Sequence, residues 1–127
     1  MEPLKRICII DDHTIVIRLL ILLIKESIKD SEIITETHGL RGFELIKSCN
    51  PDLIILDIIL PGMSGFDICQ ELRKIDKFKE VPIIAFTSLS MISDKKIFVD
   101  AGFNDYLPKT LEINELIKII KRHLFEF

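Results

Sequence analysis

Short unbroken apolar runs alternate along this chain with longer stretches in which apolar residues recur at helical spacing. Leu53 to Leu56 are all apolar, end in Asp57, and lead within a few residues to a Pro61-Gly62 turn. A run that short beside turn residues predicts a strand buried on both faces, as in a parallel sheet. Ile7 to Ile10 is a second such run, ended by Asp11 and Asp12. The β-branched stretch 33–37 predicts a weaker strand nearer an edge. Residues 81–87 predict a fourth strand closing on Thr87, and 104–107 a short fifth running into Pro108 and Lys109. Between them the apolar pattern predicts helices over 14–28, 42–49, 65–75, 90–101 and 113–124. Asn50-Pro51 stops the second of these, and Gly102 closes the fourth as a left-handed cap.

Strand and helix thus alternate along the whole chain, which predicts one α/β domain over 1–127, a parallel sheet doubly wound by right-handed crossovers. No linker, repeat or low-complexity tract interrupts it. The last helix should bury Leu116, Ile117, Ile120 and Leu124, and Phe66, Phe78, Phe86 and Phe98 are expected in or beside the core. In the first helix Val16, Leu19, Leu20, Leu23 and Ile24 are assigned to the packed face.

Composition narrows the class. At 127 residues the chain can bury a real core without disulfides or structural metal. Lys plus Arg number 17 and Asp plus Glu 20, and a net charge of −3 argues against a general nucleic-acid binder. Cys8, Cys49 and Cys69 are widely spaced and read as buried small hydrophobes in a reducing cytoplasm. The most apolar window, 15–24, contains Arg18 and is about half the ~20 residues a membrane span needs, so no membrane insertion is expected. Met1 a few residues before the first strand favours a free-standing protein. His13 reads as a helix-start residue, and His38 and His123 as surface residues.

Chemistry enters through where the strands stop. Asp11, Asp12, Asp57, Thr87 and Lys109 all fall at or just past strand carboxyl ends, which in an open α/β sheet converge on one crevice. Three carboxylates packed together repel unless a cation neutralises them. Mg²⁺ suits such oxygen ligands, with Mn²⁺ as the substitute. Lys109 offers an ammonium and Thr87 a hydroxyl to a phosphoryl group, and Asp57 a carboxylate nucleophile. Taken singly, each would more often be a turn or surface residue. Convergence carries the reading.

The motifs Ile-Asp11-Asp12, Asp57-x-x-Leu60-Pro61-x-x-x-Gly65, Thr87-Ser88 and Asp105-Tyr106-Leu107-Pro108-Lys109, in this order, resemble the receiver domain of two-component response regulators. The resemblance spans essentially the whole chain and implies a flavodoxin-like fold with strand order 2-1-3-4-5. It implies that Asp57 takes a phosphoryl group from a histidine kinase or histidine phosphotransfer protein. It further implies that Asp12, Asp57 and the backbone carbonyl of Ile59 bind Mg²⁺ directly, with Asp11 acting through water. Thr87 and Lys109 would then grip the phosphoryl group, and Tyr106 would turn inward as Thr87 moves. The surface of the fourth helix, fifth strand and fifth helix would be the output face, in a monomer or weak dimer.

Some positions depart from that pattern. Thr110 stands where many receivers have proline, so the Lys109–Thr110 bond is either trans or a costly non-proline cis bond. Ile59 and Leu89 stand where side chains often tune dephosphorylation. Both are apolar, which predicts a long-lived phosphoryl group. Ile17, Ile21 and Leu22, pointing away from the assigned packed face, form an expected docking patch for the kinase or phosphotransfer partner. No DNA-binding or catalytic output domain is visible, so the chain reads as a signalling phosphoacceptor, not an enzyme. It would act as a diffusible effector or phosphorelay intermediate, with a receiver excised from a hybrid kinase as the alternative. A small phosphatase using an aspartyl phosphate is disfavoured because Ile59 replaces the second acid. A scaffold never phosphorylated is disfavoured by the presence of the acid pair, Thr87 and Lys109.

Overall fold

In the computed structural model, which describes residues 3–88 and 95–125, the strands are β1 (Lys5–Ile10), β2 (Ser31–Glu36), β3 (Leu53–Leu56), β4 (Ile83–Thr87) and β5 (Asp105–Pro108). All pair in parallel in the order β2-β1-β3-β4-β5, matching the doubly wound reading. The helices are α1 (Thr14–Ser27), α2 (Gly39–Cys49), α3 (Gly65–Arg73), α4 (described over Lys95–Ala101) and α5 (Ile113–Phe125).

Strand alternation splits the core into two layers. Ile7, Ile9, Leu53, Ile55, Ile84 and Phe86 face α1 and α5, where Leu20, Ile24, Leu116 and Ile120 are fully buried. Cys8, Ile10, Ile54, Leu56, Ile83 and Ala85 face α2, α3 and α4. The three central strands are therefore buried on both sides, which is why they read as unbroken apolar runs. Edge strand β2 is only partly covered.

Several boundaries differ from expectation for local reasons. α2 begins at Gly39, with His38 as its N-cap accepting from the Arg41 N–H at 3.5 Å. α3 stops at Arg73, and a short 3-10 turn over Asp76–Phe78 follows it. β4 starts at Ile83, although the carbonyl of Pro82, which has no N–H, still accepts from Ile54 N at 2.9 Å. The expected start of the fourth helix at Ser90 lies outside the described residues. Among the described residues no peptide bond is cis, so Lys109–Thr110 is trans.

The larger correction concerns α1. Its buried stripe is Ile17, Leu20 and Ile24, continuing to Ile28, while Leu19, assigned to the packed face, is 43% exposed. Ile17, predicted in the docking patch, is buried among the α1–α5 layer, and Ile21 packs partly against the same cluster. Of that patch Leu22 alone is exposed, beside Ile15 and Leu19. The helix is so uniformly apolar that apolar periodicity alone does not fix its rotation. Arg18, Lys25 and Glu26 do fix it: at helical spacing they share the outward side with Ile15, Leu19 and Leu22.

Candidate functional site

The carboxyl ends of β1, β3 and β4 meet at a small pocket of charge. Asp57 N donates to Ile10 O at 2.9 Å, extending the β1–β3 ladder by one step and bringing Asp57 beside Asp11. The Ile58 N–H then donates to Asp57 Oδ1 at 2.7 Å, fixing the carboxylate from its own chain. Asp11 and Asp57 are 2% and 3% exposed, too buried to be ordinary surface acids.

Lys109 reaches both of them from the end of β5. Its Nζ donates to Asp57 Oδ2 at 2.8 Å and to Asp11 Oδ1 at 3.0 Å. The same ammonium donates to His13 Nδ1 at 2.7 Å, so that ring nitrogen acts as an acceptor. Burial pulls the Lys109 ammonium down, but the hydrogen bonds and charges of Asp57 and Asp11 outweigh it and leave its pKa above the ordinary value. Burial is also the largest influence on Asp11 and holds its carboxyl above the usual range, against the His13 N–H and Lys109.

Thr87 is buried at the end of β4, and its carbonyl accepts from Lys109 N at 2.9 Å. The backbone therefore ties the hydroxyl-bearing and ammonium-bearing residues to each other at the pocket's wall. Asp12 lies on the open side, with its side chain 41% exposed. One ligand atom from each of Asp11, Asp12, His13 and Asp57 falls within 4.8 Å of the others. Three carboxylates against one ammonium leave excess negative charge, and their oxygens are the donors a hard divalent cation takes. The residues present fit such an ion.

The β3–α3 loop that carries Ile59 is held by close backbone approach. Gly39 N donates to Pro61 O at 2.8 Å. A Cβ on Gly39 would lie 1.9 Å from Met63 O, so a side chain there would push the loop away. Gly62, at φ +88°, presents its Cα to the His38 ring at a distance no other residue could keep. Ile59 itself points outward, 60% exposed. Leu89, the other position expected to tune dephosphorylation, lies outside the described residues.

Tyr106 sits apart from the charge pocket, on β5 opposite Ala85. Its ring stacks on Phe98 of α4, and both line a cavity of about 400 Å³ with Lys95, Val99 and Asp105. His13 starts α1 as its N-cap, as its position predicts, and its ring also meets Lys109. His13 is drawn into the acid pocket by its place directly after Asp12. His38 braces the β3–α3 loop. His123 Nε2 lies 2.5 Å from Asp105 Oδ2 and is partly buried. His38 and His123, expected at the surface, are both partly buried against neighbouring elements.

Among the described residues no helix is long and apolar enough to cross a membrane. The chain matches the profile of the response regulator receiver domain over residues 7–121. It is 31% identical to the polar-differentiation response regulator DivK of Brucella anthropi, covering 94% of this chain and 96% of DivK. It spans about half the length of other curated relatives it matches, 48% of one and 45% of another. Among solved structures, a putative response regulator from Chloroflexus aurantiacus superposes with a TM-score of 0.86 at 32% identity, over 97% of this chain and 98% of that one. The receiver domain of a Pseudomonas aeruginosa sensor histidine kinase, with a magnesium ion coordinated in its active site cleft, superposes at 0.80 and 26% identity, over 95% and 98% of the chains.

Proposed function

The chain belongs to the response regulator receiver domain family, and from that premise we propose that Asp57 accepts a phosphoryl group from a phosphohistidine on a partner protein. The observation that carries this is Lys109 Nζ bonded at once to Asp57 and Asp11, residues from three separate strand ends. In the transfer, the Asp57 carboxylate bonds to phosphorus as the phosphorus–nitrogen bond breaks. The histidine nitrogen keeps the electron pair and later takes a proton from water.

Asp12, Asp57 and the Ile59 carbonyl would hold Mg²⁺ or Mn²⁺, with Asp11 acting through water. The bound ion would supply the positive charge that offsets the acids and the charge on the phosphoryl oxygens. Lys109 then exchanges one carboxylate partner for a phosphoryl oxygen, and the buried Thr87 hydroxyl donates to another. Charge-assisted bonds are worth ~1.5–3 kcal/mol each. Two or three of them reach the ~5.5 kcal/mol that moves a two-state equilibrium from mostly off to mostly on.

The output is read by protein contact on the face of α4, β5 and α5, where Tyr106 borders an open cavity. Ile59 offers no side chain to orient an attacking water, which supports a slow loss of phosphate. The test is acetyl phosphate with Mg²⁺ followed by phosphate-affinity electrophoresis. One shifted band should form in the wild type and none in Asp57→Asn. An equal shift in that variant would move the acceptor elsewhere, and no shift in either would end the proposal.

A further inference from the structure

His13 begins α1 as its N-cap, yet its side chain caps nothing. At the start of α2, by contrast, the His38 ring does cap, accepting from Arg41 N at 3.5 Å. The backbone N–H of His13 donates to Asp11 Oδ1 at 2.8 Å, which holds the residue against the acids. Its Nδ1 lies 3.2 Å from Asp11 Oδ1, 3.4 Å from Asp12 Oδ1 and 3.8 Å from Asp57 Oδ2.

A cation already stands where these atoms converge. The Lys109 ammonium is held by Asp57 Oδ2 at 2.8 Å, Asp11 Oδ2 at 2.9 Å and His13 Nδ1 at 2.7 Å. An ammonium only donates, so the Nδ1 lone pair points into the pocket and the ring proton sits on Nε2. That is the form in which imidazole binds a metal.

We propose that His13 Nδ1, together with Asp11, Asp12 and Asp57, forms a Zn²⁺ site that excludes Mg²⁺ from the same pocket. The inference deepens the metal reading of the pocket and rests on it.

Spacing and donor type both support a zinc mode. Ligands ~2.0–2.2 Å from a tetrahedral Zn²⁺ stand about 3.3–3.6 Å from one another. The three distances from His13 Nδ1 lie close to that edge as the chain is folded. Mg²⁺ seeks an octahedron of oxygens and keeps waters, so an imidazole adds nothing to its binding. Zn²⁺ takes imidazole and carboxylate together. A divalent ion also answers three carboxylates better than one ammonium does, and Lys109 yields on its flexible stem. Asp57 is a ligand in this state and is withheld from a phosphoryl donor.

The test is calorimetric titration of the metal-free protein with Zn²⁺ and separately with Mg²⁺, no phosphoryl donor being present. Ring ¹⁵N spectra of histidine-labelled protein accompany it. One Zn²⁺ should bind per chain and displace Mg²⁺. The His13 Nδ1 resonance should move to a metal-bound position while those of His38 and His123 stay. Losing a residue that only supports a metal ligand costs about 10–100-fold in affinity. His13→Ala removes a ligand itself, so it should weaken Zn²⁺ binding by roughly tenfold or more and move Mg²⁺ binding far less. Should that variant not fold, His13→Phe keeps a flat ring without the nitrogen and should lose Zn²⁺ affinity to the same degree. Zn²⁺ affinity unchanged by the substitution, or shifts at His38 or His123 in place of His13, would overturn the proposal. Equal weakening of both ions would do so too, since it would place the effect of His13 on the carboxylates. Failure of Mg²⁺ to bind the wild type would overturn the wider metal reading, and this inference with it.

Discussion

Tyr106 lies flat on Phe98, ring centroids 4.4 Å apart and planes 7° from parallel, so β5 and α4 are joined through an aromatic stack beside an open cavity. A pair of this kind is worth ~0.5–1.5 kcal/mol beyond its buried area. That is small enough for phosphorylation to break. The chain has 1 tyrosine and no tryptophan, so its intrinsic emission reports this ring alone. Acetyl phosphate with Mg²⁺ should change tyrosine emission in the wild type and leave Asp57→Asn flat. Identical emission before and after phosphorylation would mean that the stack survives and that the switch lies elsewhere.

Replacing Lys109 by Met should destabilise the metal-free protein at neutral pH. The Lys109 side chain is only 11% exposed and serves two acids whose side chains are 3% exposed, so its loss leaves buried charge uncompensated. Removing one partner of such a pair costs ~3–5 kcal/mol. Because the Lys109 pKa is raised in the folded state, its contribution is complete below the ordinary lysine value of ~10.4 and is lost as pH climbs through the folded value. Urea unfolding across pH should therefore show an alkaline loss of stability in the wild type that Lys109→Met lacks.

Asp11→Asn should act in the opposite direction. Burial raises the Asp11 pKa, so the fold favours its protonated form. Stability from this group is complete below the ordinary aspartate value of ~3.9 and is lost as pH rises through the folded value. At pH 7 with chelator present, the asparagine variant should melt a few degrees higher than wild type, and the gap should close near pH 4. A lower melting temperature at pH 7 would show that the Lys109 ion pair outweighs desolvation.

Strand-end residues were readable because a parallel sheet obeys a rule that needs no side-chain detail: strand carboxyl ends converge. Asp11, Asp57 and Lys109 needed only the alternation of elements to be placed together. The rotation of α1 was not readable from its apolar residues, since nearly every position could have packed. The contacts that the histidines make were not readable for a different reason. Their partners, Lys109 for His13, Gly62 for His38 and Asp105 for His123, are distant in sequence or lie across a turn, and a lone histidine carries no mark of them.

Arg73→Lys should cost stability although the charge is kept. The Arg73 guanidinium donates to the carbonyls of Phe78, Val81 and Gly102 and to Asn104 Oδ1, at 2.6, 2.7, 2.9 and 2.8 Å. It thereby ties the end of α3 to the loops on either side of β4. A lysine places one ammonium where a planar fork met several acceptors at once. A loss of ~1–2 kcal/mol is expected from part-buried acceptors left unpaired, read as a lower urea midpoint at constant m-value. A change inside ~0.5 kcal/mol would show that water replaces the fork at no cost.

The rotation of α1 separates packing from docking in a way two variants can read. Ile17 is 6% exposed, so Ile17→Glu forces a carboxylate into the α1–α5 layer. It should cost ~3 kcal/mol or more, or unfold the domain. Ile15 and Leu22 are 80% and 64% exposed, and with Leu19 they line the outward side of the helix that starts at the acid pocket. Ile15→Lys combined with Leu22→Glu should shift stability by no more than ~0.5 kcal/mol. If this apolar stripe is where a phosphohistidine partner docks, the double variant should lose phosphotransfer from the protein donor by tenfold or more while acetyl phosphate still modifies Asp57 at the wild-type rate. The small donor needs no docking surface, so equal loss with both donors would place the damage in the pocket. Unchanged transfer from the protein would place the docking site off α1.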